Sequence, residues 1–193
     1  MTADRTTRPP VPPLDSTALE RLALRYVERF ATTRGKLADY LVRKVRERGW
    51  TGDGDVRAIA TTLADRMAEL GYVDDRAYAT AKAAALTRRG LGAGRVTMAL
   101  RQARVGADDV AAVQPAVARD RVDSALAFAR RRRIGPFATV AADRPQREKH
   151  LGAMVRAGHS FALARAIAFA DPGRTIDFHT VPAIGPCEDD EPC

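Results

Sequence analysis

Leu41-Val42-Arg43-Lys44-Val45-Arg46-Glu47-Arg48-Gly49-Trp50 is a helix ending, and the chain repeats its pattern twice. The second copy is Val96-Thr97-Met98-Ala99-Leu100-Arg101-Gln102-Ala103-Arg104-Val105, and the third is His150-Leu151-Gly152-Ala153-Met154-Val155-Arg156-Ala157-Gly158-His159. Aligned on their stops, Gly49, Arg104 and Gly158, the copies share an apolar anchor four residues upstream: Val45, Leu100 and Met154. Glycine at a stop reaches the left-handed conformation that closes a helix, and an apolar residue just beyond it can fold back over the last turn. Repetition at this period marks helical units that stack into an array with an extended surface, rather than a pocket around one catalytic constellation.

Outward from these endings, the 3–4 spacing of apolar residues predicts nine helices and no strand. A capping box, Thr17-x-x-Glu20, opens the first, which buries Leu19, Leu22, Ala23, Tyr26, Val27 and Phe30. The second carries Leu37, Tyr40, Leu41 and Val45, and the third Val56, Ile59, Ala60, Leu63, Met67 and Leu70 before Gly71. Asp74 or Asp75 caps the fourth, which is apolar around Tyr78, Ala81, Ala85 and Leu86. Gly90, Gly92 and Gly94 connect it to the fifth, with Val96, Ala99, Leu100 and Ala103. A sixth, short helix over about 107–114 is broken at Pro115, and the seventh runs to Arg133. Ile134–Ala142 reads as a loop, Asp143-x-x-Gln146 as a capping box for helix eight, and Ser160 as the cap of helix nine. The expected fold is all-α, three tandem three-helix repeats in an elongated array. A Pro-rich disordered lead-in (1–15) precedes repeats over 16–73, 74–118 and 119–171, and an acidic flexible tail (172–193) follows.

The 193 residues carry a net charge of +8, unevenly placed. Residues 175–193 hold five acids and no Lys or Arg, so the first 174 carry 32 cations against 19 acids, or +13. Such a body is drawn to polyanions or acidic protein surfaces. Arg outnumbers Lys 28 to 4; guanidinium forks suit phosphate, but a GC-rich coding sequence yields the same bias. Cys187 and Cys193 lack further ligands for zinc and read as free thiols in a reducing compartment. No charge-free run approaches the ~20 residues of a membrane span, and Met1–Leu14 lacks the apolar core of a signal peptide. A cytoplasmic monomer is expected, without metal or cofactor.

Among the local strings, Gly71-Tyr72-Val73-Asp74-Asp75-Arg76-Ala77-Tyr78-Ala79 reads as a helix stop, an aromatic that folds back, and an acidic cap. The segment Arg88-Arg89-Gly90-Leu91-Gly92-Ala93-Gly94-Arg95 follows a helix and lacks the Lys-Ser/Thr of a P-loop. It reads as a flexible turn whose three arginines could grip a phosphate or an acidic surface. Arg130-Arg131-Arg132-Arg133 exceeds what a helix dipole asks of its C-terminus. Arg95 and Arg101 lie on a basic amphipathic helix that could enter a DNA groove. With Arg43, Lys44 and Lys149, these arginines form the candidate partner-facing or DNA-facing surface. His150 and His159 have no nucleophile beside them, and His159 reads as filling an aromatic packing position. No nucleophile triad, acid/base pair or metal set points to an enzyme.

Together these strings resemble the RecX family, regulatory proteins that modulate the RecA recombinase. The resemblance rests on Gly71-Tyr72-Val73-Asp74-Asp75 with Tyr78-Ala79, on Arg88-x-Gly90-x-Gly92-x-x-Arg95-Val96 leading to Leu100, and on Lys149, Leu151-x-x-Met154 and Arg156-x-Gly158. It covers about residues 16–170, with Arg104 where the family has Gly and His159 where it has Phe or Tyr. It implies three three-helix repeats, with Gly49, Gly71, Tyr72, Asp74, Asp75 and Gly158 as structural positions. It also implies a non-enzymatic protein that binds the groove of the RecA–single-stranded-DNA filament and limits strand exchange and coprotease activity. The alternative is a stand-alone nucleic-acid-binding helical-repeat protein.

Overall fold

A computed structural model describes residues 12–181. Among them are nine α-helices: α1 (Ser16–Val27), α2 (Arg34–Arg48), α3 (Val56–Glu69), α4 (Asp75–Arg88), α5 (Ala93–Gln102), α6 (Ala107–Arg119), α7 (Arg121–Arg132), α8 (Arg144–Arg156) and α9 (Phe161–Ala168). No strand occurs among the described residues, only an isolated parallel bridge between Leu14 and Trp50. The chain divides into two compact units, one ending at Asp75 and the other starting at Arg76.

In the first unit, α1, α2 and α3 bury Leu19 and Ala23, Leu37, Leu41 and Val45, and Ala60, Ala64 and Met67 in one cluster. Each set falls at helical spacing, so three apolar stripes meet. The first helix starts earlier than the Thr17 capping box implies. Its N-cap is Asp15, whose carboxylate accepts from the Ala18 N–H at 2.7 Å, leaving Thr17 inside the first turn. Leu14, counted with the lead-in by sequence, is fully buried in this cluster. Its backbone holds the stretch after α2: the Leu14 N–H donates to Gly49 O at 2.9 Å, and the Thr51 N–H to Leu14 O at 3.0 Å. Leu70 and Tyr72, expected to fold inward, are instead more than half exposed, and Val73 is the buried residue beyond the stop. Asp75, expected only as a cap, is buried and accepts from the Arg34 N–H at 2.9 Å and from Arg34 Nε at 3.3 Å.

In the second unit, Ala79, Ala83, Val96, Leu100, Ala103, Val105, Val113 and Val117 form a cluster shared by α4, α5 and α6. The buried stripe of α4 is Ala79, Ala83 and Thr87, not the Ala81 and Ala85 of the sequence expectation. A second cluster joins α7, α8 and α9 through Ala125, Phe128, Ile134, Met154, Leu163 and Ile167. Pro115 does not end α6, which continues to Arg119. The proline forfeits one helical hydrogen bond and costs about 3 kcal/mol. Val113 and Val117, on either side of it, are each only 4% exposed, and burying two valines contributes about 3–6 kcal/mol. Packing therefore outweighs the break. Asp143 caps α8 by accepting from the Gln146 N–H at 2.9 Å, and Ser160 caps α9 through the Leu163 N–H at 3.4 Å, both as expected. Ile134 opens the expected loop but is 1% exposed, and a 3-10 turn, Gly135–Phe137, follows it. Beyond α9, Ile176, Phe178 and Val181 pack against the α7–α9 cluster, so the expected tail is tied down to Val181. The acids at 188–191 and both cysteines lie outside the described residues.

Two of the three repeated endings share one geometry. At Arg104 (φ 58°) and Gly158 (φ 90°), the residue after the stop donates back to the anchor: the Val105 N–H to Leu100 O at 3.1 Å, and the His159 N–H to Met154 O at 3.3 Å. Gly71, Gly90 and Arg133 close α3, α4 and α7 with the same positive φ and the same back-donated bond. Gly49 departs from this expectation. With φ 91° and ψ 165° it lies outside the left-handed helical region, in backbone space that essentially only glycine occupies. The reason is tertiary: the chain must leave α2 extended to meet Leu14.

Candidate binding surface

The glycine turn between α4 and α5 is held against two other elements of its unit. The Gly92 N–H donates to Ala157 O at 2.9 Å and the Gly94 N–H to Gly158 O at 3.1 Å. A Cβ on Gly92 would lie 2.3 Å from Gly158 O, and one on Gly90 2.7 Å from Phe128 N. These glycines allow backbone to approach backbone. The Gly90 N–H donates to Thr87 O at 2.7 Å, so all three glycine N–H groups have backbone acceptors. The turn is therefore packed rather than flexible as expected, and its glycine N–H groups are not left for a phosphate.

His159 completes the junction. It is buried, its ring meets Phe128 edge-on at 5.7 Å between centroids, and its Nε2 lies 3.1 Å from Gly90 O. A carbonyl can only accept, so Nε2 carries the proton. Burial pushes the His159 pKa down, and the bond to the Gly90 carbonyl pulls weakly the other way. The aromatic packing role read from sequence holds, with a polar bond added.

Around this rigid junction stand the arginines. Arg88 ends α4 with Arg89 just beyond it, Arg130–Arg132 end α7 with Arg133 as its cap, and Arg131 Nη2 donates to the Arg89 carbonyl, which brings the two helix ends together. Arg130 lies over the Phe137 ring at 4.8 Å and Arg132 over Phe128 at 5.2 Å, which orients both guanidiniums. Arg95 and Arg101 project from α5, which buries Val96 and Leu100; Arg95 Nη1 lies 3.4 Å from Met98 Sδ. All eight are exposed, as is Lys149 on α8, and none of the nine is in an ion pair among the described residues.

Arg43 and Lys44 differ. They lie on α2 in the first unit, where both approach Glu47, at 3.6 and 2.6 Å. The Lys44 hydrogen bond, with the two positive charges, holds the Glu47 carboxyl below the usual carboxylate range. Arg34, Arg57 and Arg66 of the same unit also face acids, Asp65 and Asp75, Asp39, and Glu20. The charge balance follows the same division. Residues 1–75 hold 13 cations and 12 acids, whereas 76–174 hold 19 and 7, so residues 76–174 carry +12 of the +13. That partition depends on where the units divide, which sequence alone does not mark.

An open groove of about 570 Å³ lies between α9 and residues 174–181, with Arg165, Arg174 and Asp177 at its polar edge and Phe169, Ile176 and Val181 at its apolar one. No group of three or more His, Cys, Asp or Glu that could hold a metal ion occurs among the described residues. No helix among them is long and apolar enough to cross a membrane.

No protein-family model matches the chain. The chain is similar to the regulatory protein RecX of Myxococcus xanthus (strain DK1622), with 34% identity over 163 residues that cover 81% of this chain and 87% of that protein. Its fold is similar to the crystal structure of RecX from Lactobacillus salivarius, with a TM-score of 0.58, 14% identity and coverage of 77% and 91%. It is also similar to a crystal structure of regulatory protein RecX, with a TM-score of 0.54, 20% identity and coverage of 77% and 70%. The two crystal structures bear on the fold, which is helical in the same way. The sequence match covers most of both chains, and by it the chain belongs to the RecX family of regulatory proteins.

Proposed function

We propose that this protein is a non-enzymatic regulator that binds the RecA–single-stranded-DNA filament and lowers recombinase and coprotease activity. The observation that carries this reading is the field of exposed arginines without acidic partners on the second unit, fixed to a rigid glycine-packed junction in a chain of RecX type. Guanidiniums held this way suit phosphates and carboxylates, both of which a nucleoprotein filament presents. Three clusters of buried residues, one for each set of three helices, support the reading of three three-helix repeats.

RecA ATPase and strand exchange on single-stranded DNA, with and without the protein, test the proposal. Replacing Arg88, Arg89 and Arg131 by Ala should raise the half-inhibitory concentration about tenfold, taking each exposed contact at about 0.5 kcal/mol. Helical content should not change. Equal inhibition by variant and native chain at matched concentrations would exclude this surface. The +12 on residues 76–174 favours a second reading, a stand-alone nucleic-acid binder. In that case affinity for DNA without RecA falls steeply with salt and gains nothing when RecA is added.

A further inference from the structure

The first unit gathers aromatic side chains at the edge of its core rather than inside it. The whole chain has one Trp, four Tyr and six Phe, and no aromatic is among the buried residues of the first unit's cluster. Three meet instead where the end of α1 passes α2. Tyr26 stacks on Tyr40 with centroids 4.2 Å apart and planes 25° from parallel, and Phe30 lies 5.2 Å from Tyr26. The two tyrosines rest partly on the core, but Phe30 is 51% exposed. Cations surround the rings: Arg29 at 5.7 Å from the Phe30 centroid, Arg43 at 5.5 Å and Lys44 at 5.9 Å from that of Tyr40.

Cation–ring contact by itself stabilises such a cluster, yet it leaves two features unexplained. Phe30 stays about half exposed where burial would stabilise it. The cations also exceed their acids: Arg43 and Lys44 share Glu47, and Arg29 has no ion pair among the described residues. An exposed π-face backed by stacked rings and edged by excess positive charge is what an unpaired nucleotide requires, a surface for its base and cations for the phosphates on either side. A duplex keeps its base faces stacked on one another and cannot use the ring.

We propose that Phe30, backed by the Tyr26–Tyr40 stack and flanked by Arg29, Arg43 and Lys44, is a stacking platform for a base of single-stranded DNA. The inference takes from the proposed function only the identity of the strand. It assigns to the first unit a base contact that the arginines of the second do not make.

The test uses the full chain without RecA and compares fluorescein-labelled oligo-dT with an abasic oligomer of the same length by anisotropy. The native chain should prefer oligo-dT by about tenfold, the scale of one base–aromatic stack. Phe30→Ala should bind both oligomers equally while keeping its helical content, and Phe30→Trp should restore the preference. Replacing Arg88, Arg89 and Arg131 by Ala should weaken both oligomers alike and leave the preference intact. Equal binding of the two oligomers by the native chain, or a preference that survives Phe30→Ala, overturns the platform. In either case RecA inhibition by the native chain remains a separate result, so the filament reading can stand when the platform falls. A Phe30→Ala variant that loses inhibition while the native chain shows no base preference would place the patch against protein and also overturn the proposal.

Discussion

Replacing Gly92 by Ala separates steric cost from backbone strain at the junction that carries the arginines. Gly92 has φ −82° and ψ 173°, which any L residue adopts, so the substitution brings no torsional cost. The new Cβ would lie 2.3 Å from Gly158 O and 2.6 Å from His159 N, both backbone atoms. Ordinary contact begins at 3.4 Å, so the segments must part by roughly 1 Å. A parting of that size breaks the 2.9 Å bond from Gly92 to Ala157 and the 3.1 Å bond from Gly94 to Gly158. Two backbone bonds at about 1 kcal/mol each, with about 1–3 kcal/mol of overpacking, make the loss about 3–5 kcal/mol. Gly173→Ala is the comparison in the same unit. Its φ is +74° with nothing within 4 Å of the added Cβ, so only left-handed strain remains, about 1 kcal/mol. Equilibrium urea unfolding followed by far-UV circular dichroism reads both. If Gly92→Ala costs no more than Gly173→Ala, the turn is not packed backbone against backbone and the rigid-junction argument fails.

Two further outcomes follow from the helix stops and the buried histidine. Arg104 is left-handed at φ 58°, so Arg104→Gly should relieve about 1–2 kcal/mol of Cβ strain against about 0.4–1 kcal/mol of added unfolded-state freedom. A small rise in melting temperature is expected, and a fall would contradict the strain reading. Because burial depresses the His159 pKa, the unfolded chain takes up its proton first as pH falls below its ordinary value of about 6.5. Stability from His159 is therefore fully present above that pH and declines below it, toward the folded pKa. His159→Phe also removes the bond to Gly90, at about 1 kcal/mol. The native chain's advantage over the variant should thus be largest near neutral pH and shrink toward pH 5, while His150, present in both, cancels. Parallel stability curves from neutral to acid pH would show that His159 is not buried as a neutral ring.

What lies within one or two turns of a residue was legible from the sequence. The apolar spacing marked nine helices, Asp143 and Ser160 were readable as caps, and Gly71, Gly158 and Arg104 as stops, because each is decided by partners at most five residues away. The surface was less legible. Arg88, Arg89 and the 130–133 run could be named as cations, but not their meeting, which depends on a bond between residues 42 apart.

By itself, the sequence determined that this is a helical chain with a basic body, and its strings of glycine, tyrosine and aspartate pointed to the RecX family. Only the tertiary structure decided which faces are buried, which charges are neutralised and what the glycines serve. Leu14 became core through its bridge to Trp50, Val73 rather than Tyr72 turned inward, and α6 continued through Pro115 because two valines are buried beside it. Asp75 became the acceptor for Arg34, 41 residues away, and Gly90 the partner of His159, 69 away. Helix propensity and capping act over a few residues and can be read along a chain. Burial and ion pairing are energies of approach between distant segments, and they take values only once folding has brought those segments together.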